Sequence, residues 1–470
     1  MSSENSKSNM VQGTSVNSSD MPLTWRHWWI TIVAGLGQLV GTAVATIAGV
    51  IIPMIMITAH NGLSSFVQGL IGAADLIGIM VGSVVFGKLS DKYGYLPFFR
   101  LCPLLITLFS LLAIFVPNVW VLVVCLFVIG FGIGGEYSLD SDYVSVLMPD
   151  KYKLVMLGMC KTGAAFGNIL GAALCFWLVI DLNNAGSWPD LMWIVAGIGA
   201  LMLISRIYFF ESPKWLYDHG EDKKALIALH KFLGNNVAPS AEMTAIPTDV
   251  SADNKLSTLE FCKKFWNRVM LSGIPWACEG LGVYGIGVFI PILVMALGIE
   301  KQLPDATAIE NVAQSVKTTF WISCIILPGF LIGIWLAQKK VKETRLQTLS
   351  FWACCVSLVV LLISYRFKLP VWISLISFMA FELFLNIGPH LVTYLLPPKI
   401  YPIAVRGQGT GIAAAIGKMG AVLAVFIIPI LLKAGGGVLV LGVSAAIMAA
   451  GAIITQYYGR KVNKSLDQVV

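Results

Sequence analysis

Charged residues are scarce in this chain of 470 residues. Asp, Glu, Lys and Arg make up 12% of it and hydrophobic residues 57%, whereas about a quarter of an ordinary soluble domain is charged. The composition excludes a soluble enzyme and also a disordered chain, which needs low hydrophobicity and high net charge. Apolar stretches of about 20 residues recur from Trp28 to Tyr458, and each can cross a bilayer. They are apolar on every side, which favours helices over the alternating strands of a membrane β-barrel.

Patterns for metal binding and disulfides are also missing. The nine cysteines form no C-x-x-C pair, and the five histidines show no H-E-x-x-H spacing. We therefore expect free thiols that pack as small hydrophobic groups, no metal site and no cofactor. The net charge of +7 says little by itself, and we expect no nucleic-acid partner.

No cleavable signal is evident at the start, because residues 1–24 are polar and the first apolar stretch is too long for a signal core. We predict an all-α membrane protein with twelve transmembrane helices in two six-helix halves. The predicted spans are 28–58, 64–88, 98–116, 119–146, 153–180, 191–210, 268–297, 315–337, 346–365, 370–396, 407–432 and 435–458. The chain then divides into a tail (1–27), a first bundle (28–210), a linker (211–267), a second bundle (268–458) and a tail (459–470). The linker is expected to open with one amphipathic helix.

The distribution of Lys and Arg predicts the orientation. With both termini in the cytoplasm, 24 of the 32 basic residues lie in cytoplasmic segments and 5 in outer loops. Basic residues concentrate on the cytoplasmic side of membrane proteins, so the reverse orientation is rejected. Because no N-x-S/T sequence falls on the outer side, we expect a multi-pass protein of a bacterial inner membrane.

The segment GKLSDKYG, Gly87 to Gly94, lies between spans two and three. Its glycines permit a tight turn, and Asp91 can bind a helix N-terminus or a basic partner across the bundle. The plainer interpretation is an ordinary charged turn. The segment resembles the signature loop of the major facilitator superfamily, which implies two six-helix halves around a central site. FFESPKWL (209–216) and YPIAVRGQGTGIAAAIGKMGAV (401–422) are similar to elements of its sugar and phosphate porters. The resemblance assigns conformational gating to four residues: Gly87, Asp91, Gly94 and Arg406.

Three further segments are similar to the phosphate:proton symporters of that superfamily. They are GIGGEYSL (132–139), WACEGLGVYG (276–285) and GKMGA (417–421). The first span departs from that pattern, because it offers Gln38, Thr42 and Thr46 where those symporters carry aspartates. The resemblance, with the polar residues of spans one and ten, implies a set of solute-binding residues: Gln38, Thr42, Tyr137, Trp276, Tyr284, Asn386 and Lys418.

A charge inside a membrane span is costly and normally faces a cavity or a partner. At about 1.5 Å per residue, several buried charges fall near the midplane of the bilayer. We predict proton coupling at four of the acids: Glu136, Asp140, Glu279 and Glu382. The alternative for Asp140 and Asp142 is a structural ion-pair network with Lys161. For Glu382, a packed polar group is an equal alternative. His390 is predicted to be a hydrogen-bonded neighbour rather than a ligand.

The leading hypothesis is a proton-coupled symporter that takes up a small anion, phosphate or a carboxylate, by alternating access. Its partners are the solute, protons and the lipid bilayer, and we expect a monomer. A sugar-like, neutral or cationic solute, moved by uniport or symport, is the first alternative. A transporter-like receptor is the second, although the 57-residue insert is short for an output domain. No pairing of nucleophile and base supports an enzyme.

Overall fold

The computed structural model of this chain describes residues 14–16, 23–58, 64–182, 184–233, 237–239, 256–286, 308–339 and 341–467. Its α-helices are α1 (Trp25–Thr58), α2 (Ser65–Tyr93), α3 (Leu96–Phe115), α4 (Val119–Leu147), α5 (Asp150–Leu182), α6 (Met192–Ser205), α7 (Pro213–Asp218), α8 (Asp222–Leu233), α9 (Thr258–Lys264), α10 (Trp266–Gly280), α11 (Ala308–Gln338), α12 (Glu343–Arg366), α13 (Val371–Ile387), α14 (Pro389–Leu395), α15 (Pro397–Ile400) and α16 (Arg406–Asp467). Short 3₁₀ turns cover Ala185–Leu191, Arg206–Tyr208 and Ile403–Val405, and a π turn covers Leu281–Ile286.

The helical membrane architecture is confirmed. Ten helices among the described residues are long and apolar enough to cross a membrane. The longest, α16, holds two passes, because Gly435 and Gly436 depart from helical angles and Gly436 has a φ of 62°. The described part therefore contains spans one to six, eight to twelve and the first part of span seven. The remainder of predicted span seven, 287–297, lies outside the described residues.

Helix ends follow local chemistry. The Ser64 side chain accepts a hydrogen bond from the Val67 amide at 3.3 Å, and Asn118 accepts one from Trp120 at 2.9 Å. Both satisfy amides that the first turn of a helix leaves without a partner. At the other end of α2, Gly94 has a φ of 85°, a conformation that side chains disfavour.

The linker differs from the single amphipathic helix that the sequence predicts. Two helices, α7 and α8, occupy this segment, because the chain turns at Gly220 with a φ of 74°. Further along, Val237–Pro239 (β2) pairs in parallel with Thr14–Val16 (β1) of the N-terminal tail. This two-stranded sheet lies outside the membrane helices and joins two segments that the sequence assigns to separate parts.

Glycines let α2 and α4 pack almost backbone to backbone. A Cβ atom built on Gly130 would lie 2.7 Å from the backbone carbonyl carbon of Asp75, and one on Gly134 would lie 2.6 Å from the Ser83 nitrogen. Helices in lipid associate mainly through such close packing, since burial of apolar surface gives them little drive there. The contact holds Asp75 and the acids of α4 deep inside the first bundle.

Replacing Gly130 with alanine should lower the free energy of unfolding by about 1–3 kcal/mol, since the added methyl group forces these helices apart. Thermal unfolding of the purified protein in detergent measures this. Gly197→Ala is the matched control, because a Cβ at Gly197 meets nothing within 4 Å. Equal melting temperatures for the two variants would contradict the packing described here.

Candidate functional site

The predicted gating residues meet at one end of the bundle, called here the basic end because the Lys-rich loop around Asp91 lies there. The Asp91 carboxylate accepts hydrogen bonds from the backbone amides of Gly407 (3.0 Å) and Gln408 (2.8 Å), at the N-terminus of α16. A carboxylate is favoured there because the first amides of a helix lack internal partners and carry partial positive charge. Gly87 faces Gly407 so closely that a Cβ would collide with its carbonyl oxygen.

Two more contacts join the halves at the basic end. Arg406 donates to the Ser145 hydroxyl at 3.0 Å, and Thr410 donates to the Asp142 carboxylate at 2.9 Å. With the contacts of Asp91, they hold the N-terminus of α16 against α2 and α4. The basic end is therefore closed.

The loop around Gly94 is fixed by Glu211, from the FFESPKWL segment. Its carboxylate accepts hydrogen bonds from the amides of Tyr95, Leu96 and Ser212, each at 3.0 Å. Burial raises the pKa of the Glu211 carboxyl, although the amides of Leu96 and Tyr95 act in the opposite direction. A side chain at Gly94 would run into this carboxylate.

Asp91→Asn should loosen the basic end. It removes the charge and turns an amide N–H₂ towards backbone donors, so we expect amide exchange at residues 406–410 to accelerate about 10-fold or more. Hydrogen–deuterium exchange with mass spectrometry measures this. Asp150→Asn is the control, since Asp150 lies in the first turn of α5 and pairs locally with Lys153 at 2.6 Å. If the amides of residues 406–410 exchange at the wild-type rate in both variants, Asp91 does not hold the basic end closed.

The buried acids of α4 form an ion-paired cluster with Arg206. Arg206 donates to Glu136 at 2.8 Å through Nη1 and to Asp140 at 3.2 Å through Nη2, and all three side chains are fully buried. The guanidinium also lies 4.8 Å from the Phe99 ring. Two carboxylates thus share one cation, in a setting where a buried charge needs a partner.

The alternative interpretation of the sequence, in which Lys161 pairs with the acids of α4, is wrong. It donates to the Gln38 side-chain oxygen at 3.1 Å and lies 5.2 Å from the centre of the Tyr137 ring and 5.4 Å from that of Tyr394. Aromatic faces attract cations at such distances. The lysine therefore lies at the interface of the two halves.

Lys418 lies on the other side of Tyr137. Its ammonium donates to the hydroxyl of Tyr284 at 2.6 Å and to that of Tyr137 at 3.4 Å. The Trp276 ring centre is 6.2 Å from that of Tyr137. Four of the predicted solute-binding residues are thus brought together, although spans four, seven and eleven are far apart in sequence.

A polar chain runs along α13 and α14 towards Glu279. The Asn386 amide donates to the Glu382 carbonyl at 2.8 Å, and its oxygen lies 2.9 Å from His390 Nδ1. Nε2 of His390 lies 3.6 Å from a Glu279 oxygen. The helix breaks at Gly388 between these residues, yet their side chains stay on one face.

A cavity of about 740 Å³ opens away from the basic end. Towards its mouth it is lined by Met56, Phe66 and Ile430, which lie near the opposite ends of their helices. Its inner wall carries polar residues among mostly apolar neighbours, and these are Thr42, Thr46, Asn168, Tyr284, Glu382, Asn386 and His390. Lys418, Trp276, Tyr137 and Gln38 are buried behind this wall, and Tyr284 covers Lys418.

Thr42 also has a packing role. Its hydroxyl donates to the Ala164 carbonyl of α5 at 2.8 Å, and a Cβ at Gly167 would collide with it. The Thr46 hydroxyl, one turn further, donates to the Asn168 side-chain oxygen at 3.2 Å. The threonines of span one therefore tie α1 to α5 as well as lining the cavity.

From the sequence, Arg206 is expected near the end of a span, and no partner is predicted for it. An arginine inside an apolar run requires a buried anion, and this pattern could have indicated the pairing with the acids of α4. Asp75 is also a charged residue inside an apolar run. It is buried, and its two carboxylate oxygens have no hydrogen-bond partner among the described residues. Within the described chain, no group of three or more His, Cys, Asp and Glu is placed to hold a metal ion.

Comparison with known proteins gives consistent matches along the chain. A family model described as "Sugar (and other) transporter" matches residues 29–458. The chain is 25% identical to the Inner membrane metabolite transport protein YgcS of Escherichia coli (strain K12), over 94% of this chain and 93% of that protein. It is 24% identical to the Inorganic phosphate transporter PHO84 of Saccharomyces cerevisiae, over 78% of this chain and 69% of that one.

A niacin transporter of Acinetobacter baylyi is 22% identical, over 89% of this chain and 90% of that protein. Among solved structures, the fold matches the proton:xylose symporter XylE of the major facilitator superfamily with a TM-score of 0.73. That match is 19% identical and covers 92% of this chain and 95% of the other. The inward-open form of XylE from E. coli gives a TM-score of 0.69.

Proposed function

Because this chain belongs to the sugar (and other) transporter family, we propose that it is a proton-coupled symporter that takes up a small anion by alternating access. Membership confirms the resemblance to the major facilitator superfamily and the prediction of a membrane transporter rather than an enzyme. The coupling ion, the solute, a monomeric state and a bacterial inner membrane with cytoplasmic termini are parts of this proposal.

The arrangement of the two ends supports an outward-facing state. The basic end is held shut by Asp91, Asp142 and Arg406, whereas the cavity extends to the opposite end. Basic loops face the cytoplasm under the positive-inside rule, so the cavity faces outward. In this state the protein can receive a solute from outside.

The buried Lys418, held by the hydroxyls of Tyr284 and Tyr137 beneath the cavity, is the observation that carries the anion assignment. The ammonium has only neutral hydrogen-bond partners, although the buried acids Glu279 and Asp75 also act on it electrostatically. Rotation of Tyr284 would expose this ammonium to an anion in the cavity. Relatives whose names specify phosphate and niacin support the assignment, because both solutes are anionic near neutral pH. We assign Trp276, Gln38, Thr42 and Asn386 to the surrounding wall.

Proton coupling is supported by the ratio of acids to cations. Glu136 and Asp140 share Arg206, so the cluster carries one negative charge in excess when both acids are ionised. A buried excess charge is relieved by binding a proton. Glu279 and Glu382 lie by the cavity wall and offer further sites.

The proposed cycle begins with a proton and an anion entering the outward cavity. Neutralising the acids and Lys418 lowers the cost of closing the halves around the site, because fewer unpaired charges are then buried. The contacts at the basic end break as the far end closes. Release of the proton inside restores the charged state and favours the return.

Uptake into proteoliposomes tests the proposal. Labelled phosphate, niacin and xylose are offered separately, with and without an inward pH gradient. We expect the gradient to drive accumulation of an anion above its equilibrium level, and Glu136→Gln to abolish that accumulation. Anion uptake that is indifferent to the gradient in the wild type would contradict proton coupling.

A sugar-like solute is the second candidate. The observation that favours it is the neutral wall of Thr46, Asn168 and Asn386, which reaches the cavity while Lys418 stays behind Tyr284. Hydroxyl and amide groups suit the hydroxyls of a sugar. Accumulation of xylose but of neither anion in the same assay would favour this candidate.

A further inference from the structure

His390 is the one imidazole among the described residues that lines the cavity, and it also faces a buried acid. Its side chain is 7% exposed and that of Glu279 is 3% exposed. The ring packs against Phe330 of α11, with the ring centres 5.1 Å apart. His390 therefore borders both the cavity and the Glu279 carboxylate.

Hydrogen bonding fixes the tautomer of this ring. The Asn386 amide nitrogen donates to the Glu382 carbonyl, so the Asn386 oxygen is left to face His390 Nδ1. An oxygen acceptor requires Nδ1 to carry a hydrogen. In the neutral ring, Nε2 is then a bare acceptor and points at Glu279.

Two bare acceptors facing each other repel, so a proton held by the pair is stabilised there. Either the imidazole is protonated and faces a carboxylate, or the neutral ring faces a protonated Glu279. The separation of 3.6 Å is longer than a hydrogen bond, and a shift of about 0.5 Å closes it. Such contacts are often long in unliganded structures and tighten when the ligand binds.

We propose that His390 is the relay through which a proton passes between the outward cavity and Glu279. A hydronium ion that reaches Nε2 from the cavity gives its proton to that nitrogen and leaves water. The new N–H bond then breaks as the proton moves to an oxygen of Glu279, and the ring returns to its neutral form. Nδ1 keeps its hydrogen on Asn386 throughout.

The charges around the pair suit a transient proton on the ring. Lys161 of α5 and Lys418 of α16 act electrostatically on His390, and Glu382 lies two turns away along the same polar face. Two nearby ammonium groups oppose a lasting imidazolium, whereas Glu279 favours it at close range. An anion bound at Lys418 would offset one of those charges and so link proton entry to solute binding. This last step rests on the proposed function.

Infrared spectroscopy tests the relay without any solute. The carboxyl stretch of protonated Glu279 is identified as the band that Glu279→Gln removes, and its rise and decay are followed after a pH jump. In His390→Asn we expect both rates to fall about 10²-fold, the usual contribution of a positioned acid or base. Free imidazole, which the open cavity can admit, should restore much of the rate.

His27→Asn is the matched control, because His27 is a fully buried histidine at the far end of α1 and should leave both rates unchanged. Wild-type rates in His390→Asn, or the absence of any band that depends on Glu279, would overturn the relay. A slowed rate that imidazole does not restore would instead assign His390 a purely structural role. Failure of gradient-driven uptake would end the proposed function, but the infrared rates would still decide the relay.

Discussion

Arg206→Gln is expected to cost about 3–5 kcal/mol of the free energy of unfolding and to abolish transport. The guanidinium neutralises Glu136 and Asp140, and all three side chains are fully buried. Removing one partner of a buried ion pair leaves an uncompensated charge, which is more costly than never having had the pair. Thermal or denaturant unfolding in detergent measures the loss.

Two further variants make the Arg206 result specific. The triple variant Arg206→Gln, Glu136→Gln, Asp140→Asn removes all three charges, so it should regain most of the lost stability while remaining inactive. Lys153→Gln breaks an exposed pair with Asp150 and should cost no more than about 1 kcal/mol. A triple variant no more stable than Arg206→Gln would show that the charge imbalance is not the cause.

Lys418→Met should reduce kcat/KM for the transported anion about 30-fold or more. Loss of a buried charge that meets a charged ligand typically costs about 2–5 kcal/mol. The methionine keeps most of the side-chain volume, so the melting temperature should change far less than transport. Uptake of the anion identified in the proteoliposome assay measures the effect.

The matched control for Lys418 lies on the same helix. Lys433 of α16 is exposed, so Lys433→Met should leave uptake within about twofold of the wild type. Lys418→Arg keeps the charge in a larger and differently shaped group, so its anion uptake should lie between that of the wild type and that of Lys418→Met. Unchanged anion uptake in Lys418→Met would contradict the anion site and favour the sugar-like solute.

Much of the membrane fold could be predicted from the sequence, because a bilayer tolerates few alternatives. An apolar run of about 20 residues must satisfy its backbone internally, so it forms a helix whatever its neighbours are. The predicted break between spans eleven and twelve, at 433–434, lies within two residues of the observed break at Gly435 and Gly436. The linker could not be predicted so well. Its course depends on the single positive φ at Gly220 and on pairing with the tail, and amphipathic spacing reports neither.

Part of the candidate site could likewise be predicted from the sequence, and part could not. Motif spacing selected Asp91, Tyr137, Tyr284 and Lys418, and the structure brings the last three together. Motif spacing did not identify Arg206 as the partner of the α4 acids, because this pairing depends on how α4 and α6 are rotated against each other. The sequence predicts His390 to be a packed neighbour. It cannot show the contact of His390 with Glu279, because that contact joins helices more than 100 residues apart.

Composition and local order were enough to predict a helical membrane protein, the charges within its spans and the position of its basic loops, because burying a charge in lipid is costly. The role of a transporter came from motifs that resemble those of a known family. Which charges neutralise each other, which end is closed and which residues line the cavity could be seen only in the folded structure. Those outcomes depend on helix packing at distances of a few ångströms, where one glycine or one helix rotation exchanges one partner for another.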